Sequence, residues 1–121
     1  MNSNKIYIIA EAGVNHNGDL QKAKELIFEA KKAGASAVKF QTFIASKSIS
    51  KFAPKAKYQI KSTRIDETQL EMCKSLELSD SEHYEIYEEC KKNKIEFIST
   101  PFDKESIELL LKLKVKKIKV A

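Results

Sequence analysis

Ala37-Val38-Lys39-Phe40-Gln41-Thr42-Phe43 is the stretch on which the fold turns. Successive side chains of a strand point to opposite faces, so Val38 and Phe40 share one side while Lys39 and Gln41 share the other. A doubly wound sheet is covered by helices on both faces and reads as apolar throughout. A (β/α)8 barrel can turn polar side chains into its interior near the C-terminal mouth. The buried lysine and amide therefore favour the barrel.

Working outward, Ile6-Tyr7-Ile8-Ile9-Ala10 reads as a first strand buried on both faces. Glu11 to Gly18 follows as a loop closing on an Asn-Gly pair, and Asp19 is placed to cap a helix. Leu20, Ala23, Ile27 and Ala30 recur at helical spacing, and Gly34 stands where a left-handed C-terminal cap is wanted. Residues 44–66 are polar, rich in Ser and Lys, and contain Pro54; loops of such length are uncommon unless functional.

Glu67 to Leu76 reads as a short helix, and Ser79 with Glu82 forms a capping box opening a helix to about Lys92. Ile95 to Thr100 is a third strand stopped by Pro101, Asp103 caps a further helix, and Lys117 to Ala121 is a fourth strand. The order β-α-β-α-β-α-β forces parallel pairing through crossover helices. A complete barrel takes about 200–250 residues or more. Residues 1–121 thus read as the N-terminal half of a (β/α)8 TIM barrel, part of a longer protein.

Composition narrows the function classes. A chain with 42% hydrophobic residues and no low-complexity tract is not disordered. No apolar run approaches the roughly 18 residues of a membrane span, and Met1 to Asn4 do not begin a signal peptide. A cytoplasmic protein with no membrane partner is expected. The net charge of +5 suggests nucleic acid, but every basic residue except Arg64 is lysine and the lysines are mixed with 17 acids. That pattern marks solvated helix faces, and no nucleic-acid partner is expected. Cys73 and Cys90 form neither a CxxC pair nor a Cys/His cluster and are expected to be reduced thiols.

In a barrel the active mouth is built from the C-terminal ends of the strands. Glu11, Lys39, Gln41, Thr100 and Lys119 converge there by alternation. A lysine between Val38 and Phe40 must be paired or must bind an anion, because burying its charge alone costs several kcal/mol. Its two readings are an ion pair with Glu11 on the adjacent strand and an anionic ligand. Glu11 fits a general base, a holder of metal-bound water or the partner of Lys39. Gln41 is a core amide or a substrate contact. Thr100 is a strand-end hydroxyl or, ahead of the capped helix, a binder of phosphate or carboxylate oxygens. Lys119, among Lys114, Lys116 and Lys117, could equally be a solvated lysine. His16 lies in the first loop beside Asn15 and Asn17, while His83 is expected on the surface. No dinucleotide or P-loop motif occurs.

Ile8-Ile9-Ala10-Glu11-Ala12-Gly13-Val14-Asn15-His16-Asn17-Gly18 and Ala33 to Phe43 together resemble the start of the sialic acid synthase family. The likeness runs collinearly through Tyr58-Gln59, Gln69 to Met72, Leu76 to Ser79 and Ser99-Thr100-Pro101-Phe102-Asp103 to Lys117–Ala121. Lys-Phe-Gln rather than Lys-Leu-Gln looks more like the neuraminate and legionaminate branch. The resemblance implies a barrel followed by a small antifreeze-like domain outside residues 1–121. It also implies condensation of phosphoenolpyruvate with an N-acetylated aldose such as N-acetylmannosamine, with release of phosphate.

A divalent metal, Mn²⁺ or Mg²⁺, and a homodimer are implied as well, with the metal ligands outside this segment. Glu11 and Lys39 become the catalytic positions, and Gln41, Thr100, Lys119, Asn15, Phe102 and Ser62 the substrate-binding ones. Ser62 departs from the Asn that many members carry there. The segment alone is expected not to turn over. Rival readings are a lysine Schiff-base aldolase using Lys39 and a non-catalytic half-barrel association module.

Overall fold

The computed structural model describes residues 5–49 and 68–121. Three strands, β1 (Ile9–Gly13), β2 (Ala37–Thr42) and β3 (Glu96–Pro101), pair in parallel in the order β1-β2-β3. Among the described residues five helices connect or flank them: α1 (Leu20–Lys32), α2 (Ala45–Ser48), α3 (Gln69–Ser75), α4 (Asp80–Lys92) and α5 (Lys104–Lys112). The caps expected of the sequence form. Asp19 Oδ1 accepts from the Lys22 N–H at 3.1 Å, and Gly34 closes α1 at φ +86°. Ser79 and Glu82 exchange the two bonds of a capping box, as do Thr68 and Glu71 at α3.

Asp103 has two duties. One carboxylate oxygen accepts from the Ser106 N–H at 2.8 Å to cap α5, and the other accepts from the Ile44 N–H at 2.7 Å, tying the exit of β2 to that of β3.

All three long connections lay their apolar stripes on the same side of the sheet. Ala23 and Ile27 of α1, Ile86 and Cys90 of α4, and Leu109 and Leu110 of α5 pack with Val38, Phe40 and Phe97 in one core. Phe40 stacks on Phe97 at 5.9 Å between ring centroids. One-sided packing over strands in sequential order is how the wall of a barrel is built, whereas a doubly wound sheet is covered on both faces. The register puts Ala10, Val38 and Phe97 on the helix side and Glu11, Lys39 and Ile98 on the opposite, inner side.

Four expectations need correction. The first strand begins at Ile9, not Ile6, and includes Glu11, because its ladder can start only where β2 starts, at Ala37. Ile6 and Ile8 are exposed rather than buried on both faces. Residues 117–121 form no strand; a single bridge, Ser99 to Ile118, and a bond from the Lys119 N–H to the Ser99 carbonyl are what pairs there. His83 is 2% exposed, not a surface residue. The long loop at 44–66 opens with the short α2, and its remainder, with Pro54, lies outside the described residues. No helix among the described residues is long and apolar enough to cross a membrane.

Candidate active site on the open face of the sheet

Glu11 and Lys39 stand opposite each other on paired strands, and their side chains meet at 2.6 Å. The lysine is 19% exposed and the glutamate 53%, so the pair sits where the inner face meets solvent. Glu11 is the sole ion-pair partner of Lys39 among the described residues. An ammonium carries three N–H donors, and one carboxylate oxygen at 2.6 Å leaves capacity for further oxygens. The ion pair expected as the plainer reading is therefore present, and it does not exhaust the lysine.

A bulge aims the glutamate. Glu11 is level with Lys39 and Gly13 is level with Phe40, so Ala12 is the extra residue. Gly13 holds φ +53°, a left-handed conformation that glycine takes without a Cβ penalty. Space is tight here as well. A Cβ at Gly13 would stand 3.1 Å from Glu11 Oε1 and 3.9 Å from Gln41 Nε2. The carboxylate and the amide thus both lean over the bare Cα. No sequence motif singled Gly13 out, but a glycine two residues after a carboxylate in a strand is the visible signal of such a bulge.

One rung further along, Gln41 is level with Thr100 on the inner face, and Thr100 is 4% exposed. The Ser99–Ile118 bridge carries Lys119 to the level of Thr100 on that face, where its side chain is exposed. Lys119 makes no side-chain hydrogen bond or ion pair among the described residues. Phe102 follows β3, partly exposed, edge-on to Phe43 at 6.5 Å. Asn15 is exposed in the turn after β1, its N–H donating to the Ala12 carbonyl. Ser62 lies outside the described residues.

The histidines are engaged elsewhere, on the helix side. His83 Nδ1 lies 2.9 Å from the Ser79 carbonyl, so Nδ1 carries the proton and Nε2 accepts from the Thr42 hydroxyl at 3.0 Å. Thr42 Oγ1 in turn accepts from Ser99 Oγ at 2.7 Å. His16 Nδ1 accepts from the Gly18 N–H at 2.9 Å, and its buried Nε2–H meets no acceptor among the described residues. Burial pushes both imidazoles below their ordinary pKa; for His16 the neighbouring His83 adds to this, and for His83 the Ser79 carbonyl opposes it. Burial pushes the Cys90 thiol up to about 12, which leaves it an inert thiol. Among the described residues no three His, Cys, Asp or Glu side chains gather as a metal site.

The protein-family model described as NeuB family matches residues 26–121. N,N'-diacetyllegionaminic acid synthase of Legionella pneumophila is 54% identical over 94% of the chain, and the Campylobacter jejuni protein of the same name is 53% identical over 96%. The crystal structure of N-acetylneuraminic acid synthetase from Leptospira borgpetersenii, in complex with citrate, superposes with a TM-score of 0.74 at 32% identity and covers 97% of the chain. The chain spans about a third of the length of these relatives, 32%, 35% and 36% respectively. With the parallel, sequentially ordered strands and one-sided helices, the fold is the N-terminal part of a (β/α)8 barrel.

Proposed function

The chain belongs to the NeuB family, and on that premise we propose that it carries one side of the active mouth of a sugar-acid synthase. The reaction we assign joins phosphoenolpyruvate to an N-acetylated aldose such as N-acetylmannosamine, giving a nine-carbon sialic-acid-type sugar and phosphate. The reading takes the enzyme to be a cytoplasmic homodimer, to which residues 1–121 supply the N-terminal half of the barrel. It includes a divalent cation, Mn²⁺ or Mg²⁺, held by residues other than those described; the roles of Glu11, Lys39 and their neighbours do not pass through it.

The single observation that carries the reading is Lys39, an ammonium on an open barrel face with one carboxylate partner and donors to spare. Phosphoenolpyruvate brings a phosphate and a carboxylate, and an ammonium with free N–H donors binds either as a point charge. Glu11 fixes the position of the amine and keeps a second carboxylate oxygen for a sugar hydroxyl. Thr100 and Lys119, level with each other one rung on, supply a hydroxyl and a second cation for the same anion. Gln41 holds an amide over Gly13, between the anion and the sugar. In the step itself the enol carbon attacks the aldehyde, water adds at the carbon bearing the phosphate, and the C–O bond to phosphate breaks. A cation fixed beforehand beside that oxygen stabilises the charge that develops as the bond opens.

The test is phosphate release by the full-length protein from phosphoenolpyruvate, N-acetylmannosamine and Mn²⁺. Lys39→Gln is expected to lower kcat/KM by about 10²–10³. Equal turnover by that variant, or phosphate release indifferent to the sugar, would sink the reading. Borohydride reduction in the presence of pyruvate separates the Schiff-base alternative, since an adduct on Lys39 would favour an aldolase.

A further inference from the structure

Helix α3 has seven residues, too few to keep a helical shape without support from the rest of the fold. Its C-terminal end is held from two sides. On one, Gly18 of the turn after β1 lies directly against it. A Cβ at Gly18 would overlap the Ser75 carbonyl oxygen and stand 3.3 Å from the carbon that bears it, so backbone meets backbone with no room for a side chain. Gly18 holds φ +75°, and its N–H donates to Nδ1 of the buried His16 at 2.9 Å. On the other side Glu77, just past the helix, accepts from the Ala45 N–H at 3.0 Å with one carboxylate oxygen. The preceding amide, that of Ile44, is the one Asp103 takes, so two carboxylates grip consecutive N–H groups at the exit of β2.

We infer that Gly18 and Glu77 are positioning residues, which brace the C-terminal end of α3 between the turn after β1 and the exit of β2 and so fix the rim around the reacting groups. This role rests on the synthase reading above for the reaction that the rim serves. Glu11, Lys39, Gln41 and Thr100 lie within the strands, where the ladder holds them. Asn15, Phe43 and Phe102 lie beyond the strand ends and depend on the segments packed around them. The brace therefore governs orientation at the rim and leaves the groups assigned to phosphoenolpyruvate in place. Gly18, Ser75, Glu77 and Ala45 also stand outside the main hydrophobic core, so loosening them moves the rim without melting the sheet. A shift of about 1 Å in a positioning element is enough to cost up to about 10²-fold in rate.

The experiment compares Gly18→Ala, Glu77→Ala, their double variant and Glu77→Gln in the full-length protein, with Gly34→Ala as control. Gly34 also holds a left-handed φ, +86°, but a Cβ there meets open space, so its substitution brings the backbone strain without the collision. Gly18→Ala and Glu77→Ala should each lower kcat for phosphate release about tenfold and leave KM for phosphoenolpyruvate within about twofold. The double variant should lose much less than the product of about a hundredfold, because both substitutions act on one brace. Glu77→Gln keeps an oxygen for the Ala45 N–H and should recover most of the rate, and Gly34→Ala should retain it. Amide hydrogen exchange at Met72 and Leu76, read without substrates, should quicken in Gly18→Ala and Glu77→Ala but not in Gly34→Ala. An unchanged kcat, a loss equalled by Gly34→Ala, or losses that simply multiply would overturn the role. Should Gly18→Ala fail to fold, the contrast between Glu77→Ala and Glu77→Gln decides alone. The synthase reading fails separately: its mark is a wild type that releases no phosphate, and exchange at α3 then decides the brace.

Discussion

Strand β2 presents alternate residues to two environments, and polar groups on its two sides behave differently. On the helix side Thr42 is 2% exposed and satisfied from both directions, accepting from Ser99 and donating to His83, whose other nitrogen binds the Ser79 carbonyl. That chain is closed, with each member's bonding used on its neighbour. On the inner side the Lys39 side chain has one partner, the Gln41 side chain makes no hydrogen bond among the described residues, and Glu11 is half exposed. The contrast separates polar groups that hold the fold from polar groups left with capacity for a ligand. Burial alone would not separate them.

Phe40→Ala should show the largest effect, about 3–5 kcal/mol in urea denaturation, because its ring is 1% exposed between Phe97 and His16 and the space it leaves cannot collapse. Thr42→Val should cost about 1–3 kcal/mol by stranding Ser99 Oγ and His83 Nε2 without a partner. A loss under half a kcal/mol would show that the chain of hydroxyls is not closed as described. Lys39→Gln, by contrast, should change stability by no more than about 1 kcal/mol, since its partner Glu11 is half exposed, although under the proposed function it should lower kcat/KM by about 10²–10³. A larger loss of stability would make the lysine a structural group and erase the contrast.

The graded effect is that of pH. His16 and His83 titrate below the ordinary value of 6.5 in the folded state. Unfolding therefore takes up protons once the pH drops below about 6.5, and stability, complete above that value, falls toward the depressed folded pKa. The urea midpoint should be lower at pH 5.5 than at pH 7.5, with a smaller difference in His83→Gln. A midpoint that rises on acidification would contradict the buried neutral imidazoles.

Local features were legible because each depends on a few neighbouring residues. Asp19, Ser79 with Glu82, and Asp103 announce helix starts, and the structure places α1, α4 and α5 immediately after them. The Lys39–Glu11 pairing was legible too, since alternation and parallel order bring adjacent strands level. What escaped was long-range. His83 looks like a helix-surface residue until Thr42 of a distant strand gives it a partner across 41 positions. Ile6 to Ile8 have the composition of a strand, but a strand extends only as far as its neighbour accompanies it. An apolar recess of about 360 Å³ beyond Gln41 was hidden for the same reason, since Val14, Phe43, Met72 and Phe102 come together only through tertiary contact.

Alternation along Ala37 to Phe43 by itself determined that Val38, Phe40 and Thr42 would share one side of this strand and Lys39 and Gln41 the other, because a period of two is a property of the extended backbone. Only the tertiary structure decided how each polar group is used. Helices docked on one face bury Thr42, Ser99 and His83 against each other, and the bulge at Gly13 tips Glu11 over bare backbone to meet Lys39. Those outcomes depend on distances between segments far apart in the chain, which no local pattern encodes.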